Sequence, residues 1–162
     1  MSNGKVLFIC SGNTCRSPLA EVLGRARLGA AGIRCESAGL DACDGCGATA
    51  ESREQAAERG LDLERHRSRA VDALSLDGVG WVIGMTVDHV RRFRNGRPDY
   101  AGHVGLLGLP GVDLAVGGDP FAGEQVDDPY RRGTVTAYEA MAEQVERLVA
   151  AWAPRLLGGE TT

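Results

Sequence analysis

Short apolar runs alternate with longer amphipathic segments along the chain. The apolar runs predict four β-strands, at residues 5–9, 33–37, 79–84 and 103–107. Between and after these runs, apolar positions recur every three to four residues, which predicts helices with one apolar face. We therefore expect an α/β fold, with a parallel sheet and helices on both faces. The length of 162 residues suits a single domain that spans residues 1–162.

Capping residues indicate where the helices begin. Ser17 is a good N-cap for the first helix, with Pro18 at its first position. Thr49 and Thr86 predict helices that run to residues 59 and 94, and further helices are expected at 71–76 and 134–157. The expected buried stripe of the first helix comprises Leu19, Val22, Leu23, Ala26 and Ala30. That of the last helix comprises Val135, Tyr138, Ala142, Val145, Leu148, Val149 and Trp152.

Two glycine-containing stretches interrupt this pattern. Residues 108–128 carry glycine and proline throughout, and their length predicts a functional loop. Residues 41–48 combine glycine with Cys43 and Cys46 and predict a surface loop. A zinc site there would need two more ligands, for which only Cys35 and His66 are candidates. We therefore expect no metal, and either a labile disulfide or two free thiols.

The most informative stretch follows the first apolar run. Residues 10–18 read Cys-Ser-Gly-Asn-Thr-Cys-Arg-Ser-Pro, which predicts a strand end, a tight loop and a helix start. The N–H groups of such a loop and of a helix N-terminus can converge on one phosphate. The same positive field, together with the Arg16 guanidinium, favours the thiolate form of Cys10, and Arg16 can bind two phosphoryl oxygens at once. This arrangement predicts phosphate-ester chemistry through a phosphocysteine on Cys10.

The rest of this stretch is expected to hold the phosphate. The predicted phosphate-binding residues are Ser11, Gly12, Asn13, Thr14, Cys15 and Ser17. Asn13 tolerates the left-handed backbone that a phosphate loop needs, and its amide can hold the loop closed. Ser17 can donate a hydrogen bond to the thiolate as well as cap the helix.

The pattern Cys-x4-Cys-Arg-Ser, formed by Cys10, Cys15, Arg16 and Ser17 with Pro18 after it, resembles that of the low-molecular-weight protein tyrosine phosphatase family. The resemblance covers nearly the whole chain. It implies a four-stranded, doubly wound parallel sheet, which agrees with the pattern of apolar runs. The site would then lie at the carboxyl end of the first strand, beside the topological switch point.

The resemblance also implies one carboxyl group that protonates the leaving group and later activates water. In the family this group is the Asp of an Asp-Pro pair after the last strand. The chain offers two such pairs, which begin at Asp119 and Asp128. We favour Asp128, because Tyr138 follows it by ten residues and opens the final helix much as in relatives. Asp119 remains the alternative, since loop registers are the least reliable part of a sequence interpretation.

Further roles are implied by the resemblance alone. Ser37 and His66 fall where the family places residues that brace Asn13 and tune the site. Cys15 lies where family members can form a reversible disulfide with the nucleophile, here Cys10. A small buried thiol is the alternative for Cys15.

The residues expected to line the pocket do not decide between phosphotyrosine and phosphoarginine as the substrate. Family members that act on phosphotyrosine commonly carry an aliphatic residue where Thr14 stands, and aromatic residues around the phenol ring. The loop that begins at Leu40 has no aromatic residue, and Tyr130 is the one aromatic beside the favoured Asp-Pro pair. Thr14 instead resembles the protein arginine phosphatase branch, in which the threonine favours phosphoarginine. Thr14, Tyr130 and Leu40 are therefore the expected specificity residues.

The composition and net charge indicate which classes of binding partner to expect. The chain is 43% hydrophobic and 25% charged, and its net charge of −4 gives no reason to expect nucleic acid or a membrane as a partner. The odd number of cysteines argues against a secreted disulfide framework, and a nucleophilic Cys10 needs a reducing compartment. No signal peptide or spanning segment is recognisable, so we expect a cytoplasmic protein. The expected partner is a phosphorylated protein or a small phosphate ester, with no cofactor, and the chain is expected to be a monomer or weak dimer.

Two other functions are alternatives to phosphate-ester hydrolysis. An arsenate reductase on the same fold needs further cysteines after the third strand, and none follows Cys46. A catalytically idle oxyanion-binding module is disfavoured by the presence of Cys10, Arg16 and Asp128 together. Both remain alternatives to a cysteine-dependent phosphatase.

Overall fold

A computed structural model describes residues 4–158, so the ends of the predicted domain, 1–3 and 159–162, lie outside the described residues. In the described range the strands are β1 (Lys5–Cys10), β2 (Arg34–Gly39), β3 (Val79–Gly84) and β4 (His103–Leu106). The α-helices are α1 (Arg16–Leu28), α2 (Ala50–Glu58), α3 (Val87–Gly96) and α4 (Val135–Gly158). Short 3-10 turns lie at Gly29–Ala31, Val71–Ala73 and Pro120–Ala122.

The four strands form one parallel sheet in the order β2-β1-β3-β4. Helices α1, α2 and α4 cover one face, and α3 covers the other. The connections therefore change direction between β1 and β3, which makes the carboxyl end of β1 the switch point of the sheet. The predicted α/β fold, with a four-stranded doubly wound parallel sheet, is confirmed. Cys10 is the last residue of β1 and lies at that switch point.

Successive side chains of β1 point to opposite faces of the sheet. Val6 and Phe8 belong to the hydrophobic cluster under α1 and α4, whereas Leu7 and Ile9 belong to the cluster under α3. On the first face, Trp152 packs edge-on against Trp81, with ring centroids 4.9 Å apart. The Trp152 indole N–H donates to the Leu107 carbonyl oxygen at 2.8 Å, so α4 is fixed to the end of β4 by both packing and a hydrogen bond. No helix within residues 4–158 is long and apolar enough to cross a membrane.

The start of α1 differs from the prediction. The helix begins at Arg16, with Cys15 in the cap position and no side-chain cap. Ser17 is therefore not the N-cap. Its hydroxyl instead contacts the Cys10 sulfur and the Asn13 side-chain amide.

The apolar stripes also need correction. Ala26 and Ala30 are exposed, because the buried stripe of α1 runs through Gly24 to Leu28. A Cβ on Gly24 would lie 2.8 Å from the Cys35 sulfur, so the glycine allows α1 to lie close to β2. Of the buried stripe predicted for the last helix, Val135 is exposed. It is the first residue of α4. The helix predicted at 71–76 is only the 3-10 turn Val71–Ala73, since the backbone is extended from Leu74.

Candidate active site

The sulfur of Cys10 lies at the centre of the loop that joins β1 to α1. The Asn13 backbone N–H donates to this sulfur at 3.3 Å, and the Ser17 hydroxyl oxygen lies 2.9 Å from it. Since Ser17 Oγ already accepts a hydrogen bond from the Asn13 amide, its proton is free to point at Cys10. Two donors can therefore meet the sulfur.

Asn13 holds the loop in shape. Its backbone is in the left-handed region, with φ of 57°, and the residue is fully buried. The side-chain amide donates to Ser17 Oγ and to Ser37 Oγ, both at 2.9 Å, and its oxygen accepts from the Arg69 backbone N–H at 3.1 Å. The Asn13 carbonyl oxygen accepts a hydrogen bond from His66 Nε2 at 2.7 Å. Ser37 and His66, the two residues expected to brace Asn13, are both in contact with it.

The brace extends to α1 through Ser37. The Ser37 hydroxyl accepts from Asn13 and donates to Glu21 Oε1 at 2.6 Å. Glu21 in turn pairs with Arg25 at 2.7 Å. The loop is thus connected to a chain of hydrogen bonds that is mostly buried, so its shape is set before any ligand binds.

Arg16 is the first residue of α1 and is buried. One terminal nitrogen donates to the Val126 carbonyl oxygen at 2.9 Å, and the other lies 3.8 Å from Asp128 Oδ2. The buried Nε has no hydrogen-bond partner among the described residues. Buried donors are nearly always satisfied in native proteins, so this N–H is available for a ligand oxygen. A phosphoryl group bound at the loop would supply the oxygen that accepts this hydrogen bond.

The two candidate acids lie in different places. Asp128 lines the same cavity as Cys10 and Arg16, with its Oδ1 accepting from the Tyr130 backbone N–H at 3.0 Å. Asp119 is not among the residues that line this cavity. Its carboxylate accepts from the Phe121 N–H at 3.0 Å and caps the short turn Pro120–Ala122. The structure therefore brings Asp128, and not Asp119, to the site.

The cavity above the loop has a volume of about 520 Å³. Thr14 and Tyr130 line it, as expected for specificity residues. Leu40 does not line it, because its side chain packs against the hydrophobic cluster under α3. The neighbouring side chain, Asp41, takes the place at the cavity wall. The prediction that Leu40 lines the pocket was therefore wrong.

The cysteines of the site have different states. Cys43 and Cys46 are joined by a disulfide at the cavity rim, and the loop that carries them is held by Ser68, whose Oγ accepts from the Cys46 N–H at 2.9 Å. Cys10 and Cys15 are both free thiols. The Cys15 sulfur is buried 3.3 Å from the Tyr138 hydroxyl oxygen. Among residues 4–158 no group of three or more His, Cys, Asp or Glu side chains is arranged to hold a metal ion.

His89 contacts the loop, although the sequence did not indicate it. Its Nδ1 accepts from the Thr86 N–H at 3.2 Å and so completes a capping box at the start of α3. The proton is therefore on Nε2, which lies 3.0 Å from Ser11 Oγ and donates to it. Burial lowers the pKa of His89 to about 3, and the positive charge of Arg16 adds to this effect. His89 is thus neutral at physiological pH and orients the Ser11 hydroxyl.

The chain is similar to known proteins along nearly its whole length. The family model for low molecular weight phosphotyrosine protein phosphatase matches residues 5–160. A probable low molecular weight protein-tyrosine-phosphatase, EpsP from Ralstonia nicotianae, is 31% identical over 93% of this chain and 94% of its own length. The low molecular weight protein-tyrosine-phosphatase Wzb of Escherichia coli is 32% identical, again over 93% of this chain and 94% of its own length.

A solved structure also shares the fold. The YwlE arginine phosphatase from Geobacillus stearothermophilus superposes with a TM-score of 0.81 and 27% sequence identity. The match covers 96% of this chain and 94% of that one. The similarity thus includes proteins named for tyrosine and for arginine dephosphorylation.

Replacement of Asn13 should separate its backbone role from its side-chain role. Asn13→Gly keeps the left-handed backbone but loses the three amide hydrogen bonds, and we expect it to lower the free energy of unfolding by about 2 kcal/mol. Asn13→Ala should cost about 1 kcal/mol more, because alanine is strained at positive φ. Urea unfolding of the three proteins measures both steps. Equal stability of the Ala and Gly variants would contradict the left-handed constraint.

His89 should make stability depend on pH. Its pKa is lower in the folded protein than in the unfolded chain, so its stabilising contribution is complete above about pH 6.5 and declines as the pH falls towards 3. We expect wild type to lose about 2 kcal/mol more than His89→Gln between about pH 7.5 and pH 4.5. Denaturant unfolding at the two pH values gives this difference. Parallel pH dependences of the two proteins would show that His89 is not held neutral by its surroundings.

Proposed function

The chain belongs to the low molecular weight phosphotyrosine protein phosphatase family, and we propose that Cys10, Arg16 and Asp128 perform its reaction. It is a cysteine-dependent phosphatase of phosphorylated protein side chains, phosphotyrosine or phosphoarginine. The observation that carries the assignment of residues is that Arg16, whose buried Nε has no partner among the described residues, lines the same cavity as Cys10 and Asp128. The relatives reported above are phosphatases and give no support to an arsenate reductase or an idle oxyanion-binding module.

In the first step, the Cys10 thiolate attacks phosphorus. The sulfur–phosphorus bond forms while the bond from phosphorus to the leaving oxygen or nitrogen breaks, and the electron pair stays on the leaving atom. Asp128 donates its carboxyl proton to that atom. Arg16 binds the phosphoryl oxygens throughout, together with the N–H groups of the loop, so the charge of the transition state meets a preformed cradle.

In the second step, water hydrolyses the phosphocysteine. The Asp128 carboxylate accepts a proton from the water as its oxygen attacks phosphorus. The sulfur–phosphorus bond breaks, and Cys10 leaves as a thiolate. The hydroxyl of Ser17 and the backbone N–H of Asn13, at 2.9 and 3.3 Å from the sulfur, stabilise this leaving group. Phosphate then departs and the thiolate is ready for the next substrate.

Thr14 and Tyr130 are proposed to contact the leaving group. Both line the cavity on which Asp128 also lies. The Thr14 hydroxyl can hydrogen-bond to a nitrogen or oxygen beside phosphorus, while the Tyr130 ring can stack on a phenol. These two residues alone are compatible with phosphotyrosine and with phosphoarginine.

We further propose that the 162 residues form one domain, and that the protein acts as a monomer or weak dimer in the cytoplasm. One sheet with a hydrophobic cluster on each face supports the single domain. A nucleophilic Cys10 needs a reducing compartment, which supports the cytoplasm as its location. The phosphatases among the relatives support a phosphorylated protein as substrate, and the net charge of −4 gives no reason to expect a nucleic-acid partner.

Cys10 should carry the phosphoryl group. We expect acid quenching during turnover to trap phosphate on Cys10, and Cys10→Ser to abolish turnover while phosphate still binds. Cys35→Ala is the matched control, because burial and the nearby charge of Glu21 raise the pKa of Cys35 to about 12 and leave it unreactive. Peptide mapping by mass spectrometry identifies the labelled cysteine. Full activity of Cys10→Ser would refute the assignment.

The acid should reveal itself by its dependence on the leaving group. Asp128→Asn should reduce turnover of substrates with poor leaving groups by about a hundredfold, and turnover of an activated aryl phosphate far less. Asp119→Asn should behave as wild type, because its carboxylate caps a turn outside the cavity. Steady-state kcat values on both substrate types provide the comparison. The opposite pattern for the two variants would make Asp119 the acid.

A further inference from the structure

One wall of the active-site cavity is a carboxylate that the reaction steps above do not use. Asp41 lines the cavity with Thr14 and Asp128. On the assumption that the proposed function is correct, we propose that Asp41 binds the guanidinium group of a phosphoarginine side chain, so that protein phosphoarginine is the preferred substrate class. Asp41 is then a specificity-determining residue that faces the leaving group.

The backbone of Asp41 is tied directly to the phosphate loop. The Leu40 N–H donates to the Cys10 carbonyl oxygen at 3.0 Å, and the Asp41 N–H donates to the Ser11 carbonyl oxygen at 2.9 Å. The chain approaches so closely that a Cβ on Gly39 would lie 2.6 Å from the Ser11 oxygen. The position of residue 41 relative to bound phosphate is therefore fixed by the loop itself.

The side chain of Asp41 has one oxygen held and one available. Its Oδ1 accepts from Arg92 at 2.7 Å, and no described residue donates to its Oδ2. The hydrogen bond from Arg92 holds the pKa of Asp41 below its usual range, so the carboxylate stays charged at neutral pH. Arg92 is itself shared with Asp88, which lies 3.9 Å away on the same helix. Arg92 thus contacts two carboxylates, whereas the backbone contacts to the loop fix the position of Asp41.

The chemistry of the two leaving groups differs in charge. When Cys10 attacks phosphoarginine, the phosphorus–nitrogen bond breaks, the electron pair stays on nitrogen, and Asp128 supplies the proton. The product is a guanidinium cation, with planar N–H donors that fit a carboxylate. When the substrate is phosphotyrosine, negative charge grows on the phenol oxygen instead. A carboxylate at the cavity wall therefore stabilises the first transition state and opposes the second.

The other walls of the cavity are consistent with this preference. Among the described residues that line it, Tyr130 is the one aromatic residue, and its side chain is 67% exposed. The cavity does not enclose a phenol between two rings. The Tyr130 ring and the Cys43–Cys46 disulfide instead offer apolar surface to the methylene stem of an arginine.

The test compares two peptides that differ only in phosphoarginine or phosphotyrosine at one position. We expect wild type to favour the phosphoarginine peptide in kcat/KM, and Asp41→Asn to reduce this preference about tenfold or more. Binding of inorganic phosphate should be the same in both proteins, because Asp41 faces the leaving group. Inhibition by free arginine amide should also weaken in Asp41→Asn.

Two matched variants exclude simpler explanations. Asp44→Asn removes an exposed carboxylate from the same loop without changing the cavity wall, and it should keep the wild-type ratio of the two kcat/KM values. Arg92→Gln breaks the ion pair but leaves the Asp41 carboxylate, and it should preserve the preference for phosphoarginine. If Arg92→Gln reduces the ratio as much as Asp41→Asn, the effect is structural and the inference is wrong.

The remaining outcomes separate this inference from the proposed function. A wild-type protein that hydrolyses only phosphotyrosine, by a reaction lost in Cys10→Ser, would leave the phosphatase assignment intact and overturn the role of Asp41. An equal loss on both peptides in Asp41→Asn would also overturn it. Hydrolysis of neither peptide would refute both proposals.

Discussion

The left-handed backbone of Asn13 is the constraint on which the active site depends. With φ at 57°, the loop turns so that its own N–H points back at the Cys10 sulfur. The amide partners of Asn13 come from three separate segments: Ser17 from α1, Ser37 from β2 and Arg69 from the chain that follows α2. The loop that contacts the Cys10 sulfur is therefore held in place by three separate segments of the fold.

The parts of the molecule that were predictable from sequence are local ones. β3 coincides with its predicted range, because a short continuous apolar run is typical of a parallel strand that is buried on both faces. The loop chemistry was predictable for a similar reason, since Cys10 and Arg16 lie within seven consecutive residues. Asp128 lies far along the chain, and its selection over Asp119 came from resemblance to a family rather than from local pattern.

The errors arise where a side chain has a choice of partners that only the fold decides. Ser17 fits an N-cap by sequence, but in the fold its hydroxyl contacts the sulfur of Cys10 and the amide of Asn13 instead of capping the helix. Leu40 and Asp41 differ by one position, and which of them faces the cavity depends on the register with which residue 41 pairs with Ser11. His89 is recognisable as part of a helix cap, yet its contact with Ser11 exists only because β3 lies beside β1.

The switch point of the sheet lets two helices on opposite faces act on one loop. Helix α1 begins the anion cradle and carries Ser17, while α3 supplies His89 to Ser11 and Arg92 to Asp41. His89 and Arg92 lie three residues apart, so one edge of α3 faces the loop and the cavity wall. Contacts to the loop after Cys10 thus come from both faces of the sheet, from Ser17 on α1 and from His89 on α3, and α3 also contacts Asp41 at the cavity wall. Because the groups that contact the Cys10 sulfur and the residue that contacts Asp41 lie on different elements, a substitution at Arg92 would alter the cavity wall without removing a contact to the sulfur.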